Sequence, residues 1–251
     1  MSEPRPIVVT GASRGIGLEL ARQLVARGQP VIGIARQVPG PDAPGLRFLR
    51  CDLSDRQATA ALAETLAGLS PRGLINNAAV QTECDPLRLS PERRAAHIGA
   101  ELEVNLAAPL ILATTLLPVI GDAPDGFVCN VNSCLSLAPK TRALAYCAAK
   151  AGLGNATHAL RARAREWPDL LVSEALLPLV ATDMTAGRGR GKISAEAAAE
   201  GILRGIDRRR ETIRIGGARA LHGIWRLSPG VARRMLSGPG PGPAQGRRGG
   251  A

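Results

Sequence analysis

Aromatic residues are scarce in this sequence, and their scarcity limits what the chain is expected to bind. Phe, Trp and Tyr together make up 2% of its 251 residues, and Tyr146 is the only tyrosine. The net charge of +11 invites a nucleic-acid partner, but proteins that bind single strands stack bases on aromatic side chains. Three of the 32 basic residues are lysine, so the excess is arginine spread over many predicted helices. We therefore favour a solvated basic surface and expect no nucleic-acid partner.

Cysteine and histidine occur at spacings that argue against several kinds of site. The five cysteines form no C-x-x-C pair, and the three histidines are scattered. We therefore expect no metal site and no disulfide framework. Free thiols are typical of a reducing compartment, which favours a cytoplasmic location. The cysteines are Cys51, Cys84, Cys129, Cys134 and Cys147, and the histidines are His97, His158 and His222.

Long apolar runs are also missing. No uninterrupted run approaches the roughly 18 residues that a membrane-spanning helix needs, and Met1 to Pro6 lacks the regions of a signal peptide. We expect no membrane partner. From Ser237 the chain reads SGPGPGPAQGRRGGA, a composition typical of a disordered tail. The predicted organisation is one domain over 1–236 followed by a disordered tail over 237–251.

The sequence does contain a regular alternation of apolar, β-branched runs with helical patterns. Near-continuous apolar runs suit strands that are buried on both faces. The alternation predicts an α/β fold, with a single Rossmann-type, doubly wound parallel sheet of about seven strands flanked by helices. The predicted strands are Ile7–Thr10, Val31–Ala35, Leu46–Cys51, Leu74–Asn76, Phe127–Asn132, Leu170–Leu176 and Thr212–Ile215, and the predicted helices lie near Ile16–Ala26, Arg56–Leu66, Pro91–Leu117, Tyr146–Arg165 and Ala195–Arg208.

A glycine-rich turn joins the first predicted strand to the first predicted helix. Glycines in such a turn let the backbone approach a pyrophosphate closely. The start of the helix then offers free N–H groups and a positive dipole end to the phosphates. The turn therefore predicts a dinucleotide site. It reads Thr10-Gly11-Ala12-Ser13-Arg14-Gly15-Ile16-Gly17.

The residues after the second predicted strand indicate which dinucleotide is bound. Proteins that bind NAD place Asp or Glu here to accept hydrogen bonds from the ribose 2′-hydroxyl. This chain has Ala35 at that place, followed by Arg36. Arginine pairs with a 2′-phosphate, which a carboxylate would repel, and Arg14 is placed to form the other side of the clamp. We therefore predict NADP(H) over NAD(H), the alternative being that Arg36 is an ordinary surface residue.

Tyr146 and Lys150 are the candidate chemical groups. They lie four residues apart in Tyr-Cys-Ala-Ala-Lys, so they share one face of a predicted helix. A hydride that reaches a carbonyl carbon leaves charge on the oxygen, which a proton must neutralise. The ordinary pKa of a phenol is about 10, and a neighbouring cation lowers it towards neutrality. The pair therefore predicts general acid–base chemistry at Tyr146, the alternative being a surface Tyr/Lys pair.

Together, the glycine turn and the Tyr/Lys pair resemble the short-chain dehydrogenase/reductase family, whose fingerprint is T-G-x-x-x-G-x-G. The resemblance spans about Ile7 to Thr182. It implies that Ser133, 13 residues before the tyrosine, holds the substrate oxygen, and that Lys150 also binds the nicotinamide ribose. It further implies that Asn105 takes part in a proton relay, for which Pro109 frees the carbonyl of Asn105.

The same resemblance implies further cofactor contacts, and it shows three departures. Asp52, with Leu53, is implied to contact the adenine, although Asp52 or Ser54 is equally suited to cap the next helix. Asn77 is implied to stiffen the sheet edge below the cofactor, and Val180 and Thr182 to lie at the nicotinamide. The departures are Ala79 for a glycine, Asn132 for a serine, and Leu177-Pro178 for the usual Pro-Gly.

We therefore predict an NADP(H)-dependent oxidoreductase that acts on a small or medium carbonyl or alcohol substrate. The alternative is a catalytically silent NADP(H)-binding regulatory protein. By analogy with the family, the protein is expected to be a homodimer or homotetramer. The Gly187–Lys192 stretch is a candidate mobile lid, and its Arg188, Arg190 and Lys192 suit an anionic substrate.

Overall fold

A seven-stranded parallel sheet forms the centre of the protein in a computed structural model, which describes residues 4–38, 44–82, 84–187, 189 and 191–237. The strand order is β3-β2-β1-β4-β5-β6-β9, and every neighbouring pair is parallel. The predicted α/β, doubly wound sheet of about seven strands is therefore confirmed. The strands are β1 (Ile7–Thr10), β2 (Val31–Ala35), β3 (Leu46–Arg50), β4 (Gly73–Asn76), β5 (Phe127–Ser133), β6 (Leu171–Leu177) and β9 (Thr212–Arg214).

Helices cover both faces of this sheet, which explains why its inner strands are mostly apolar. On one face, Leu20 and Ile202 belong to the cluster that buries β1; on the other, Leu66 and Leu112 belong to a second buried cluster. β1 and β2 are fully buried along their length, whereas β3 lies at the edge and is partly exposed. The helices are α1 (Gly15–Ala26), α2 (Arg56–Gly68), α3 (Pro91–Leu102), α4 (Ala108–Gly121), α5 (Leu144–Ala164), α6 (Ala195–Asp207), α7 (Ala218–Leu227) and α8 (Pro229–Ser237).

The predicted helix Pro91–Leu117 is divided in the structure. Its middle, Glu103–Ala107, is a π-helical turn in which the Ala108 N–H bonds the Glu103 carbonyl, five residues back. Pro109 follows directly and has no N–H to give to the ordinary α-helical pattern. The chain then continues as α4 to Gly121, with Pro118 inside the helix.

The stretch Pro91–Gly121 is also long and apolar enough, by composition, to cross a membrane. Its most apolar 18-residue window has a mean hydropathy of 1.8, and half of that window is buried inside the domain. One such helix is weak evidence for a membrane span, because the core helix of a globular domain has the same composition. The expectation of no membrane partner stays a prediction.

The end of the described chain differs from the sequence prediction. The sequence over Leu221–Leu236 has the pattern of one helical stretch, whereas the structure has two helices there, α7 and α8. A short parallel ladder of β7 (Val180–Ala181) and β8 (Ile193–Ser194) was not predicted. The helix α8 includes Ser237, where the predicted tail begins, and residues 238–251 lie outside the described residues.

Candidate functional site

One cavity of about 1460 Å³ runs across the carboxyl ends of the strands. It lies where the strand order reverses beside β1, the usual place for a ligand in an open α/β sheet. Of the sequence-predicted site residues, Gly17 and Asn105 do not line it. The others do: Gly11, Ser13, Arg14, Gly15, Ile16, Arg36, Asp52, Leu53, Asn77, Ser133, Tyr146, Lys150, Val180 and Thr182.

The glycine turn forms one end of this cavity, and its backbone explains its glycines. Gly11 and Gly15 have φ of 67° and 55°, in the left-handed region that other residues rarely adopt. A Cβ at Gly17 would lie 2.1 Å from the Gly11 carbonyl oxygen and 2.6 Å from the Asn77 amide nitrogen. Gly17 thus lies behind the cavity wall that the glycine turn forms, and its missing side chain lets α1 pack directly on the turn.

The start of α1 has the features of an anion site. The residue before it, Arg14, is extended, and its side chain caps none of the free N–H groups. The first turn of α1 contains no acidic residue. The N–H groups at this end therefore keep their capacity to bind an anion in the cavity.

Asn77 and Thr10 brace the floor beneath this turn. The Asn77 side-chain amide donates to the Thr10 carbonyl at 3.0 Å, and the Thr10 hydroxyl accepts the N–H groups of Asn77 and Ala78 at 2.9 and 3.0 Å. These bonds join the ends of β1 and β4. The stiffening that the family resemblance implies for Asn77 thus has a structural basis.

Arginines surround the cavity beyond the ends of β2 and β3. Arg36 and Arg50 both line it and are exposed. Arg50 was not predicted as a site residue, although a basic residue at the end of the neighbouring strand was a usable signal. Arg14 lies at 3.4 Å from the carboxylate of Asp183 in an exposed ion pair, a kind that contributes little stability and exchanges readily.

Asp52 lies on the same side of the cavity and is held by its own loop. Its carboxylate accepts the N–H and the hydroxyl of Ser54 at 3.0 and 2.8 Å. These two bonds lower the pKa of Asp52, and the charge of Arg36 adds to them. The alternative that Asp52 or Ser54 caps the next helix is wrong, because Asp55 is the cap and accepts the Ala58 N–H at 3.0 Å.

Ser133, Tyr146 and Lys150 meet on the wall at the other end of the cavity. β5 ends at Ser133, while α5 begins two residues before Tyr146. The Lys150 Nζ lies 5.8 Å from the centre of the Tyr146 ring and donates to the Val131 carbonyl at 2.9 Å. The Ser133 Oγ accepts the Leu135 N–H at 3.1 Å, which leaves the serine's own proton to donate.

Lys150 is a buried cation with an unusual pKa. It is 2% exposed, and burial lowers the pKa of Lys150 to about 8, against the attraction of Glu174, which raises it. At pH 7 the ammonium is still mostly protonated. The ammonium beside the Tyr146 ring is placed to stabilise negative charge on the phenol.

Asn105 is fully buried in the π-helical turn and does not reach the cavity. Its side-chain amide donates to the Val80 carbonyl at 2.7 Å, and its side-chain oxygen accepts the Val80 N–H at 3.1 Å. Val80 itself lines the cavity. The side chain of Asn105 therefore holds the loop after β4 in place, and the relay through its carbonyl stays a prediction.

Val180 begins the short strand β7, which follows β6, and Thr182 comes directly after β7. The side chains of Thr182 and Thr185 each accept the backbone N–H of the other in a capping box. Pro178, which stands at the usual glycine position, also lines the cavity. In the predicted lid, Lys192 donates from Nζ to the Thr185 carbonyl at 2.5 Å, and Arg188 and Arg190 lie outside the described residues.

Two buried polar side chains beside Ser133 and Lys150, Asn132 and Glu174, were not predicted as functional, and Asn132 also lines the cavity. Asn132 donates to the Glu174 carboxylate at 2.6 Å and to the Lys150 carbonyl at 3.0 Å. The departure of Asn132 from the family serine was a signal at this position. Glu174, an acid inside an apolar strand, was another.

The cysteines remain free thiols, as expected from the sequence. Cys84 lies 3.4 Å from the Nε2 atom of His97, and the others are buried. Across the ranges that the structure describes, no cluster of three or more His, Cys, Asp or Glu side chains is arranged to hold a metal ion.

Comparison with known proteins gives consistent matches. The family model described as short chain dehydrogenase matches residues 5–192. The uncharacterized oxidoreductase DltE of Bacillus subtilis is 32% identical over 185 residues, which is 71% of this chain and 72% of DltE. L-xylulose reductase of Bos taurus is 30% identical over 159 residues, 61% of this chain and 63% of the bovine protein.

Solved structures share the fold. A short chain dehydrogenase from Burkholderia cenocepacia, crystallised in complex with NADP, superposes with a TM-score of 0.82 at 23% identity. The match covers 93% of this chain and 98% of that one.

Proposed function

We infer that this chain, which belongs to the short-chain dehydrogenase family, reduces a small or medium carbonyl compound with NADP(H), with Tyr146 as the proton donor. The family match establishes an oxidoreductase of alcohol and carbonyl groups. One observation carries the finer proposal. Ser133, Tyr146 and Lys150 lie on one wall of a cavity whose other end is a glycine turn at a helix start.

The residues present fit a phosphorylated dinucleotide. The close packing of α1 on the glycine turn, which Gly17 permits, and the uncapped start of α1 suit the pyrophosphate. Arg36 and Arg50 suit a 2′-phosphate, and the described residues directly after β2, Arg36 to Val38, include no acid that would repel it. The Burkholderia structure, in complex with NADP, supports the same choice. When bound, the nicotinamide supplies or accepts the hydride.

The catalytic residues then have distinct tasks in reduction. Ser133, whose Oγ already accepts the Leu135 N–H, donates a hydrogen bond from its hydroxyl to the substrate oxygen and keeps its proton. Tyr146 transfers its phenolic proton to that oxygen as the hydride reaches the carbon, so an alcohol and a phenolate are formed. Lys150 stabilises this phenolate by its charge. In alcohol oxidation the same groups act in reverse.

The proposal is tested with purified protein and a panel of ketones, aldehydes and quinones, with NADPH and NADH in parallel. We expect turnover with at least one substrate and at least about tenfold higher kcat/KM with NADPH, the effect of one charge-assisted contact. Tyr146→Phe should lose at least about 100-fold in kcat and still bind NADPH by calorimetry.

The outcomes separate the candidate functions. Equal use of NADPH and NADH would contradict the role of Arg36, and full turnover by Tyr146→Phe would contradict the mechanism. NADPH binding with no turnover across the panel would favour the silent regulatory protein. A cytoplasmic location and a homodimer or homotetramer stay predictions, tested by fractionation and by light scattering.

A further inference from the structure

We propose that the substrate end of the cavity is an apolar chamber that selects carbonyl compounds carrying a hydrocarbon part of several carbons. The proposal rests on the proposed function for the position of the reacting carbonyl. For the hydrocarbon part it rests on α7 and α8, which follow the residues matched by the family model.

The two helices are fixed to the catalytic wall by apolar packing. Ala218 and Leu221 of α7 and Ala232 of α8 belong to one buried cluster with Cys134 and Leu176. Cys134 directly follows the catalytic Ser133. The helices α7 and α8 are therefore anchored beside the reacting groups, and the face that they turn towards the cavity is held at the substrate position.

That inner face is made of hydrocarbon. The lining residues that α7 and α8 contribute are Ala220, Leu221, Ile224, Met235 and Leu236, and the apolar Leu135 and Met184 line the same cavity. Cys134 adds no charge, because burial raises the pKa of Cys134 to about 11. A polar substrate would lose its hydration here without replacement hydrogen bonds.

Apart from Lys140 and the buried Lys150, the charge that lines the cavity is concentrated at the other end. Arg14, Arg36, Arg50 and Asp52 line the nucleotide side. Asp183 is already paired with Arg14. In the predicted lid, the structure describes one of the three cations, Lys192, and its ammonium donates to the Thr185 carbonyl. These contacts favour a hydrocarbon part over the anionic group considered from the sequence.

Two homologous series test the chamber. The kcat/KM values of methyl ketones from three to eight carbons are measured with NADPH, and the affinities of 1-alkanols of the same lengths are measured by calorimetry with NADP⁺ present. Full burial of each methylene should raise kcat/KM and affinity about fourfold. Ile224→Ser should flatten both series. Leu227→Ser, an 89% exposed position on the same helix, is the matched control and should leave both unchanged.

Each result decides the question. Slopes below about 1.5-fold per methylene, or a Leu227→Ser effect as large as that of Ile224→Ser, would overturn the chamber. Preference for a carboxylated ketone over the alkyl ketone of equal length would overturn it as well. Steep alkanol affinity without turnover would support the chamber and contradict the proposed reductase function instead.

A second inference comes from the side of Lys150 that faces away from the cavity. The geometry points to Glu174 and Asn132 as positioning residues that hold Lys150 and Ser133 in their catalytic places. Both are buried, with 7% and 2% exposure. The proposed mechanism gives Glu174 and Asn132 no other task. Burial of a carboxylate costs free energy, so a carboxylate at this depth is expected to serve a purpose.

Asn132 links the two catalytic residues through their backbones. Its side-chain oxygen accepts the Ser133 N–H at 2.9 Å, while its amide donates to the Lys150 carbonyl at 3.0 Å. Glu174 accepts the same amide at 2.6 Å and so fixes its direction. Gly154, one turn after Lys150, provides the space that the Glu174 carboxylate occupies, since a Cβ there would lie 2.9 Å from the Glu174 Oε1.

Glu174 also places a negative charge near the Lys150 ammonium. Its attraction partly offsets the desolvation that lowers the pKa of Lys150. The other titratable groups that interact with Glu174 are Cys129 on β5 and His222 on α7, and the group beside Lys150 is Tyr146. Removal of the charge should therefore reduce the protonated fraction of Lys150 near pH 8.

Glu174→Gln separates this charge from the packing, because glutamine keeps the acceptor and the volume. We expect the alkaline limb of the pH profile of kcat/KM to move down by about one pH unit. Ser173→Ala, on the same strand, removes a buried hydroxyl that donates to the Arg210 carbonyl and is the matched control. Glu174→Ala should in addition lower kcat about tenfold or more, because the Asn132 amide loses its acceptor.

The role of Glu174 is overturned if the Glu174→Gln profile superimposes on the wild-type profile, or if Ser173→Ala moves the limb equally. Should Glu174→Gln turn over too slowly for a profile, the pH dependence of its unfolding without cofactor reports the same Lys150 titration. An unchanged dependence there would also refute the role.

Discussion

Replacement of Lys150 by methionine is expected to stabilise the cofactor-free protein near neutral pH while it removes activity. The ammonium is buried, and its hydrogen bond goes to the Val131 carbonyl. Desolvation lowers the pKa of Lys150 from 10.5 to about 8, despite the attraction of Glu174. The folded chain therefore binds this proton less tightly than the unfolded chain does. The charged form destabilises the fold below pH 8, and this penalty disappears as the pH rises from 8 to 10.5.

The magnitude follows from these two pKa values. Their difference of about 2.5 units, at about 1.4 kcal/mol per unit, makes the penalty about 3 kcal/mol at pH 7. Methionine avoids it and has a similar length, but it leaves the Val131 carbonyl without its donor, at a cost of about 1 kcal/mol. We expect Lys150→Met to be about 2 kcal/mol more stable than wild type at pH 7 and about 1 kcal/mol less stable near pH 10.5.

Urea unfolding of both proteins without cofactor, from about pH 6.5 to 10.5, measures this difference. Other titrating groups cancel because they are common to both chains. Lys192→Met, at a partly buried lysine near the surface, controls for the loss of a lysine as such. A difference in stability that stays constant over the whole pH range would refute the argument, and so would a less stable variant at pH 7.

Three further outcomes follow from the site. Gly17→Ala would place a Cβ 2.1 Å from the Gly11 carbonyl oxygen. We expect a loss of about 1–3 kcal/mol in urea unfolding with weaker NADPH binding by calorimetry, and unchanged values would contradict the packing argument. Arg36→Asp should raise the KM for NADPH about tenfold to 100-fold and leave that for NADH nearly unchanged; equal changes would exclude a phosphate contact. Asn105→Ala should lose about 2 kcal/mol of stability with its two Val80 bonds, and an unaltered urea midpoint would argue against that role.

The strands were predictable because their signal is local. The predicted Ile7–Thr10 and Val31–Ala35 agree with the structure to the residue, since a strand buried on both faces is apolar along its whole length. The interruption at Glu103–Ala107 was not predicted. A proline indicates that the α-helical pattern fails nearby, but not whether the chain kinks or widens into a π turn.

The candidate site divides in the same way. The glycine turn and the Tyr146–Lys150 pair are short continuous motifs, so the sequence places them correctly on a turn and on one helix face. The bond between Asn132 and Glu174 joins residues 42 positions apart, and only the register of β5 against β6 brings them together. The capping role of Asp55, in place of Asp52 or Ser54, depended on where the helix begins, which is the least certain feature of a sequence prediction.

The two ends of the cavity are therefore specified by different kinds of information. The cofactor end is built from short motifs within residues 5–192, the range that the family model matches. The substrate end depends on the packing of Leu221 and Ala232 against Cys134, which tolerates exchange among apolar side chains of similar volume. Relatives that share the first end are free to change the second without loss of the fold. In the proposed mechanism the reacting groups lie beside the substrate end on β5 and α5, so such changes would alter which carbonyl is presented and leave the proton donor in place.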